Sequence, residues 1–229
     1  MTEAMVSSDP TFPAAAALTR RRNMRAWSGL VACLVLVTAA FLVVWNNGLR
    51  NRFFPKAFRV VVPQEVYASG QINRHLIGQT LDQYSIKEVV SLTDDGPNQP
   101  DEQAERQVCA DQHIAWVCYP LAGDGTGDIA HYADTVQAVV AAEQAHEPIL
   151  VHCFSGAQRT RGWIAFFRLL VEHRPPAEVE SELDNRTWPE PANAHLIPYL
   201  NAHMREMAQM LVDRHVIDHV PDPLPQLQP

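Results

Sequence analysis

Cysteine is scarce in this chain. The four that occur, Cys33, Cys109, Cys118 and Cys153, stand too far apart to form a paired metal-ligand motif. That excludes C-x-x-C zinc arrays and the dense disulfide frameworks of small secreted domains. Cys109 and Cys118 read as small core residues. A basic surplus is lacking too: 18 Lys and Arg face 26 Asp and Glu, a net charge of -8. A nucleic-acid partner, which requires a basic face, is not expected. Ten histidines suggest a metal, yet His215 and His219 are the pair at i,i+4 spacing, with no acidic neighbours beyond Asp213 and Asp218. No metal site and no cofactor is expected from that pattern.

Charge is missing altogether from Ala26 to Leu49. The apolar run Leu30 to Val44 inside that stretch is flanked by Trp27 and Trp45. It is long enough to cross a hydrocarbon core of about 30 Å, with a tryptophan at each interface. The apolar run of a cleaved signal peptide is shorter, and no small-x-small site follows this one, so a retained single-pass membrane helix over 26–49 is expected. Arg20, Arg21, Arg22 and Arg25 precede it, while Arg50, Arg52, Lys56 and Arg59 follow it. The positive-inside balance nearly cancels and leaves the side of the membrane open. Residues 1–25 are expected to be a disordered tail and 50–57 a basic linker that either lies on anionic headgroups or is solvated.

From Phe58 onward apolar strands alternate with helical patterns. Strands are predicted at 58–62, 87–92, 114–119 and 148–151, and helices at 73–84, 100–112, 129–144, 176–185 and 193–215. In the polar helix 100–112, Ala104 and Val108 are expected to face inward. The methionine-bearing stripe of the last helix (Leu196, Ile197, Leu200, Met204, Met207, Leu211) is expected to be core. Such alternation means an α/β fold with a central, mainly parallel sheet flanked by helices. It would occupy residues 58–219, followed by a disordered proline-rich tail at 220–229. Sites in these sheets lie beyond the carboxyl ends of the strands.

The stretch Ile149-Leu150-Val151-His152-Cys153-Phe154-Ser155-Gly156-Ala157-Gln158-Arg159-Thr160 reads as a buried strand, a tight loop and a helix start. Phosphoryl transfer through cysteine needs such an arrangement. The thiolate is the nucleophile, so the thiol must be acidified below its free value of about 8.5. Loop N–H groups, a helix N-terminus and the Arg159 cation all favour an anion. The same donors, spread over Phe154, Ser155, Gly156, Ala157 and Gln158, suit a phosphate dianion, which Arg159 holds in a bidentate fork.

His152-Cys153-x-x-Gly156-x-x-Arg159-Thr160 resembles the signature loop of the cysteine-dependent phosphatase superfamily of protein tyrosine and dual-specificity phosphatases. The likeness spans about 58–211 and is nearest the compact dual-specificity type. Tyr67-Ala68-Ser69-Gly70-Gln71 resembles a segment common in small bacterial and atypical members. The resemblance implies that Cys153 is the nucleophile and Arg159 the phosphate clamp. His152 would help acidify the thiol, and Thr160 would assist the thiolate and the breakdown of a phosphocysteine. It also implies a general acid on a loop roughly thirty positions before the cysteine. Asp124, in the glycine-rich loop 121–128, fits that offset better than Asp128, which also suits a helix N-cap. Asp94 and Asp95 are next in line. Trp188-Pro189-Glu190 resembles the acid loop of classical tyrosine phosphatases but follows the cysteine, so it is set aside.

The expected activity is hydrolysis of a phosphomonoester, with a phosphorylated protein or a phospholipid headgroup as substrate. The loop's own lack of a second cation favours a monophosphate. A catalytically inactive phosphate-binding module is the non-enzymatic alternative.

Overall fold

The computed structural model describes residues 31, 33–94, 96, 99–184 and 194–228. The chain forms two units, Met1–Arg50 and Asn51–Pro229.

In the first unit residues 33–44 are α-helical and Trp45–Leu49 form a π-helical turn. Leu34, Val35, Leu36, Val37, Phe41, Leu42, Val43 and Val44 all point outward. Among the described residues no helix is long and apolar enough to cross a membrane. Part of the predicted 26–49 span, and all of the tail 1–25, lie outside the described residues.

The second unit is built on β5 (Ile149–Cys153), whose five residues are all buried. A near-continuous apolar run of this kind belongs to a strand covered on both faces. It pairs in parallel with β2 (Val66–Gly70) on one side and β3 (Glu88–Ser91) on the other. Outside these lie β1 (Arg59–Val62), antiparallel to β2, and β4 (Ala115–Cys118), parallel to β3. The order is β1-β2-β5-β3-β4. β2 is a strand that the apolar pattern does not predict, because Tyr67, Ala68, Ser69 and Gly70 offer no apolar run.

Six helices cover the sheet: α1 (Ile77–Gln83), α2 (Pro100–Asp111), α3 (Ile129–Ala145), α4 (Gln158–Phe166, continued by the π-turn Phe167–Val171), α5 (Pro176–Leu183) and α6 (Leu196–Asp213). Successive strand residues point to opposite faces. Ile149, Val151 and Cys153 therefore join the larger core with α3, α4 and α6. Leu150 joins the smaller core with α1 and α2. That alternation sends His152 to the α2 side and its neighbour Cys153 to the other. Of the expected stripe of α6, Leu196, Leu200, Met204, Met207 and Leu211 are fully buried, and Ile197 packs against the core half-buried.

Two expectations are corrected. In α2 the fully buried residues are Glu102, Glu105 and Cys109; Val108 packs against the smaller core as expected but is half-buried, and Ala104 is half-buried too. The reason is polar: the Glu105 carboxylate has partners inside the protein, so the helix turns that face inward. The proline-rich C-terminal segment is not a free tail. Leu227 is 3 % exposed and packs with the larger core. Asn201 exchanges two hydrogen bonds with its backbone, Nδ2 to Leu227 O at 2.8 Å and Leu227 N to Oδ1 at 2.9 Å. A composition rich in proline hid one apolar anchor. Trp188-Pro189-Glu190 lies outside the described residues.

Candidate active site

β5 delivers Cys153 to the carboxyl edge of the sheet, residues 154–157 turn, and α4 begins at Gln158. The turn needs glycine at Gly156. Its φ is +74°, and a Cβ there would lie 2.6 Å from Gly70 N and 2.8 Å from the Ala57 side chain. Gly70, paired in register with Cys153, is equally constrained: a Cβ on it would meet the Ser155 backbone at 2.9 Å. The Ser69-Gly70-Gln71 segment is thus the wall against which the loop folds. Gln71 N donates to Phe154 O at 3.2 Å, and Gly70 N donates to Lys56 O at 2.8 Å.

The Cys153 sulfur, 1 % exposed, accepts from Gly156 N at 3.2 Å and from the Thr160 hydroxyl at 3.2 Å. Burial alone pushes the thiol up. The Thr160 hydrogen bond, the Arg159 charge and the N–H groups of Gly156 and Ala157 together outweigh it, and the net shift is downward. Hydrogen bonds and a cation favour the charged form while desolvation opposes it. Here the donors win. The Cys153 thiolate is therefore the stable form over a wider pH range than in a free cysteine.

Arg159 is the partly buried cation that the loop was expected to carry. Its Nη1 donates to Leu92 O at 3.0 Å and Leu121 O at 3.4 Å, carbonyls that follow β3 and β4. Its buried Nε has no protein partner. One edge of the fork is therefore tied to the sheet and a donor remains for an incoming anion. Phe154 projects to solvent at 52 % exposure, and the Lys56 ammonium lies 4.4 Å from its ring centroid and 2.8 Å from its carbonyl oxygen. Lys56 was assigned to a linker. The structure places it against the loop, supplying from outside the positive charge that residues 154–158 lack.

His152 meets Glu105 rather than solvent. Nε2 lies 2.9 Å from Oε1, and both side chains are buried. Trp116 Nε1 donates to the same oxygen at 3.0 Å and Gln71 Nε2 to the other at 3.0 Å. Burial works against charge on the imidazole, but Glu105 overrides it and holds the His152 pKa above its usual value. Burial likewise opposes the Glu105 carboxylate, and the pull of His152, with the three hydrogen bonds, keeps its pKa below the usual range. Sequence reasoning missed Glu105. A helix position filled by glutamate in a polar segment carries no signal of burial.

The two candidate acids separate clearly. Asp128 is the N-cap of α3, accepting from Ala130 N at 2.9 Å. Asp124 stands in the loop before it, where Oδ1 accepts from Thr126 N at 3.0 Å and the Thr126 hydroxyl at 2.8 Å. Those two bonds hold its carboxyl below the usual range. The loop itself abuts the signature segment: a Cβ on Gly125 would lie 3.2 Å from the carbonyl carbon of Gln158. Two tyrosines root it, Tyr132 donating to Gly125 O at 2.7 Å and Tyr199 to Gly127 O at 2.9 Å. Asp94 lines a depression with Gln99, Glu102, Phe154 and Arg159. Asp95 lies outside the described residues.

No family model matches this chain. Nor does any curated protein. Solved structures do. TpbA of P. aeruginosa matches with TM-score 0.55 at 19 % identity, covering 70 % of this chain and 91 % of its own. The core catalytic domain of the PP-IP phosphatase Siw14 of S. cerevisiae matches with TM-score 0.57 at 18 % identity, covering 75 % and 97 %. PTPMT1 matches with TM-score 0.52 at 13 % identity, covering 69 % and 98 %. TpbA has also been solved in complex with pTyr, and PTPMT1 in complex with PI(5)P. The second unit of this chain has the α/β fold of the protein tyrosine and dual-specificity phosphatases.

Proposed function

We propose that the chain is a cysteine-dependent phosphomonoester phosphatase that works through a phosphocysteine. The observation that carries this reading is the Cys153 sulfur itself. It is buried, and it accepts from Gly156 N and the Thr160 hydroxyl at the mouth of a loop that also holds Arg159. In the first step the thiolate attacks phosphorus, an S–P bond forms and the P–O ester bond breaks. The leaving oxygen takes a proton from Asp124. In the second step water attacks phosphorus, gives its proton to the Asp124 carboxylate, and the S–P bond breaks to release phosphate and restore the thiolate. Thr160 stabilises the sulfur as it leaves, and Arg159 holds the non-bridging oxygens throughout.

Asp124 must change partners to play this part. Bound to Thr126 and open to solvent it is a poor acid. Exchanging Thr126 for a leaving oxygen in a site closed by substrate raises its pKa toward the working pH. A phosphorylated protein is the substrate class the compact loop suits best. A phospholipid headgroup is the second reading, favoured by Lys56 beside the loop and by the uncharged run 26–49. That run is proposed as a single-pass membrane anchor.

The test is a panel of phosphotyrosine and phosphoserine peptides and anionic phospholipids offered to the chain and to Cys153→Ser. Turnover by the former alone, with vanadate still bound by the latter, supports the mechanism. Equal turnover by both refutes it.

A further inference from the structure

The chemistry above gives the buried His152–Glu105 pair no step of its own. Its construction nevertheless bears on the nucleophile. The side chains are 0 and 1 % exposed, and the carboxylate is filled by three donors, His152 Nε2, Trp116 Nε1 and Gln71 Nε2. A carboxylate that accepts several hydrogen bonds is far more stable ionised than protonated. A buried anion in turn demands a countercharge, because removing either partner of such a pair leaves an uncompensated charge. The nitrogen facing Glu105 thus carries a proton, which fixes the ring's orientation. The other ring nitrogen, Nδ1, is buried without a hydrogen-bond partner, and the charges of Glu105 and of the neighbouring Cys153 favour a second proton there.

We propose that Glu105 is a positioning residue for the nucleophile: it fixes the His152 ring as an imidazolium, and that charge, one residue away, favours the Cys153 thiolate. The idea deepens the phosphatase reading and rests on it for the purpose of the thiolate. Among the described residues, α2 contributes Glu105 itself, Cys109 and, on the same inward face, Glu102, which is paired with Arg106 at 2.9 Å; Arg106 also lies over the Trp116 ring, 4.1 Å from its centroid, and Cys153 is on the other face of β5. Cys109 is pushed by burial, and then by Glu105, to about 12, so it stays a neutral thiol and leaves the balance unaltered. Ser69 and Ser91, the residues beside His152 on the neighbouring strands, bring no charge.

The logic separates two jobs on the two faces of β5. The loop amides, Thr160 and Arg159 act on the sulfur from the substrate side, where phosphate also binds. Glu105 acts through His152 from the far side, inside the smaller core, where no substrate reaches. A thiolate supported from behind keeps part of its stabilisation when the phosphate dianion arrives and engages the loop donors.

Glu105→Gln in the full chain tests this with two readouts that need no substrate. One is the NMR titration of the His152 ring. The other is the pH dependence of Cys153 alkylation by iodoacetamide. The thiol pKa should rise by about one unit, the lower end of what loss of a neighbouring opposite charge produces. Alkylation should slow about tenfold below both pKa values and recover fully on the alkaline plateau. The His152 signal should change from imidazolium to neutral ring at about pH 7. Trp116→Phe, which removes one donor but keeps the charge, should leave the thiol pKa in place. An unchanged thiol pKa in Glu105→Gln, an equal shift in Trp116→Phe, or slowing that persists on the plateau would each overturn the proposal. If Glu105→Gln does not fold, the His152 titration of the unaltered protein decides: a neutral ring at about pH 6 overturns it and an imidazolium persisting above about pH 7 upholds it. An unaltered chain that shows the His152 titration and the alkylation profile but no turnover would sink the phosphatase reading and leave the pair standing.

Discussion

Thr160→Val offers the sharpest check on the nucleophile. Valine keeps the volume and β-branching of threonine in a fully buried helix position and removes only the hydroxyl. That hydroxyl is 3.2 Å from the Cys153 sulfur and is foremost among the groups that lower the thiol pKa against burial. A hydrogen bond to a charged group contributes about 1.5–3 kcal/mol. At about 1.4 kcal/mol per pKa unit, its loss should raise the Cys153 pKa by about one to two units. The thiolate fraction at a pH below both values should therefore fall about 10- to 100-fold. Alkylation by iodoacetate, followed against pH, reads that fraction directly. A second effect follows from the leaving role of the sulfur. Phosphocysteine breakdown expels a less stabilised thiolate, so an activated aryl phosphate should give a burst followed by a slow steady state. Thr160→Ser, which restores the donor, should recover most of both properties. An unshifted alkylation profile in Thr160→Val, or an equal loss in Thr160→Ser, would refute the assignment.

Asp124→Asn should lower kcat on a phosphoserine or alkyl phosphate by about 10²–10⁴, and less on an activated aryl phosphate, whereas Asp128→Asn should cost about 1 kcal/mol of stability with nearly normal kinetics. Exchange of these behaviours, read by leaving-group series and thermal melts, would move the acid to Asp128. Gly156→Ala should abolish turnover while the protein stays folded by circular dichroism, because its Cβ would have to displace Gly70 N and Ala57; retained activity would show that the loop relaxes. The Glu105–His152 pair predicts a stability window. Glu105, depressed from 4.5, contributes stability that is lost as pH falls through its folded pKa, and His152, raised from 6.5, contributes stability that is lost as pH rises through its own. The gap in Tm between the unaltered chain and Glu105→Gln should thus be widest between those ordinary values and narrow on either side. For the membrane anchor, the chain should resist carbonate extraction and be released when residues 1–50 are deleted.

The fold was legible because its signals are local. A run such as Ile149 to Val151 declares a strand covered on both faces, and the helix after Arg159 follows from spacing alone. What escaped the sequence came from contacts between distant segments. β2 carries Tyr67, Ser69 and Gly70 in place of an apolar run, and its place beside β5 depends on pairing with a segment some eighty residues later. The C-terminal segment looked free because proline dominates it, while its attachment rests on Leu227 and Asn201. Hydropathy read the inner face of α2 incompletely for the opposite reason. It found Val108, which packs on the smaller core, and could not foresee that a glutamate would be buried by its partners.

The same distinction divides the site. Cys153, Gly156, Arg159 and Thr160 lie within eight positions, so one turn of chain geometry specifies all of them. The charges that tune them come from afar: Glu105 lies 47 positions from His152 and Lys56 lies 98 from Phe154. This matters for substrate. The absence of a second cation in residues 154–158 argued for a monophosphate, but the argument counted only the loop's own side chains. Lys56 brings an ammonium to the loop's first carbonyl, held there by an exposed aromatic ring. The rim of the site is therefore more positive than its motif. Asp94 and Glu102 line a depression together with Phe154 and Arg159, so carboxylates as well as the Lys56 ammonium border the loop.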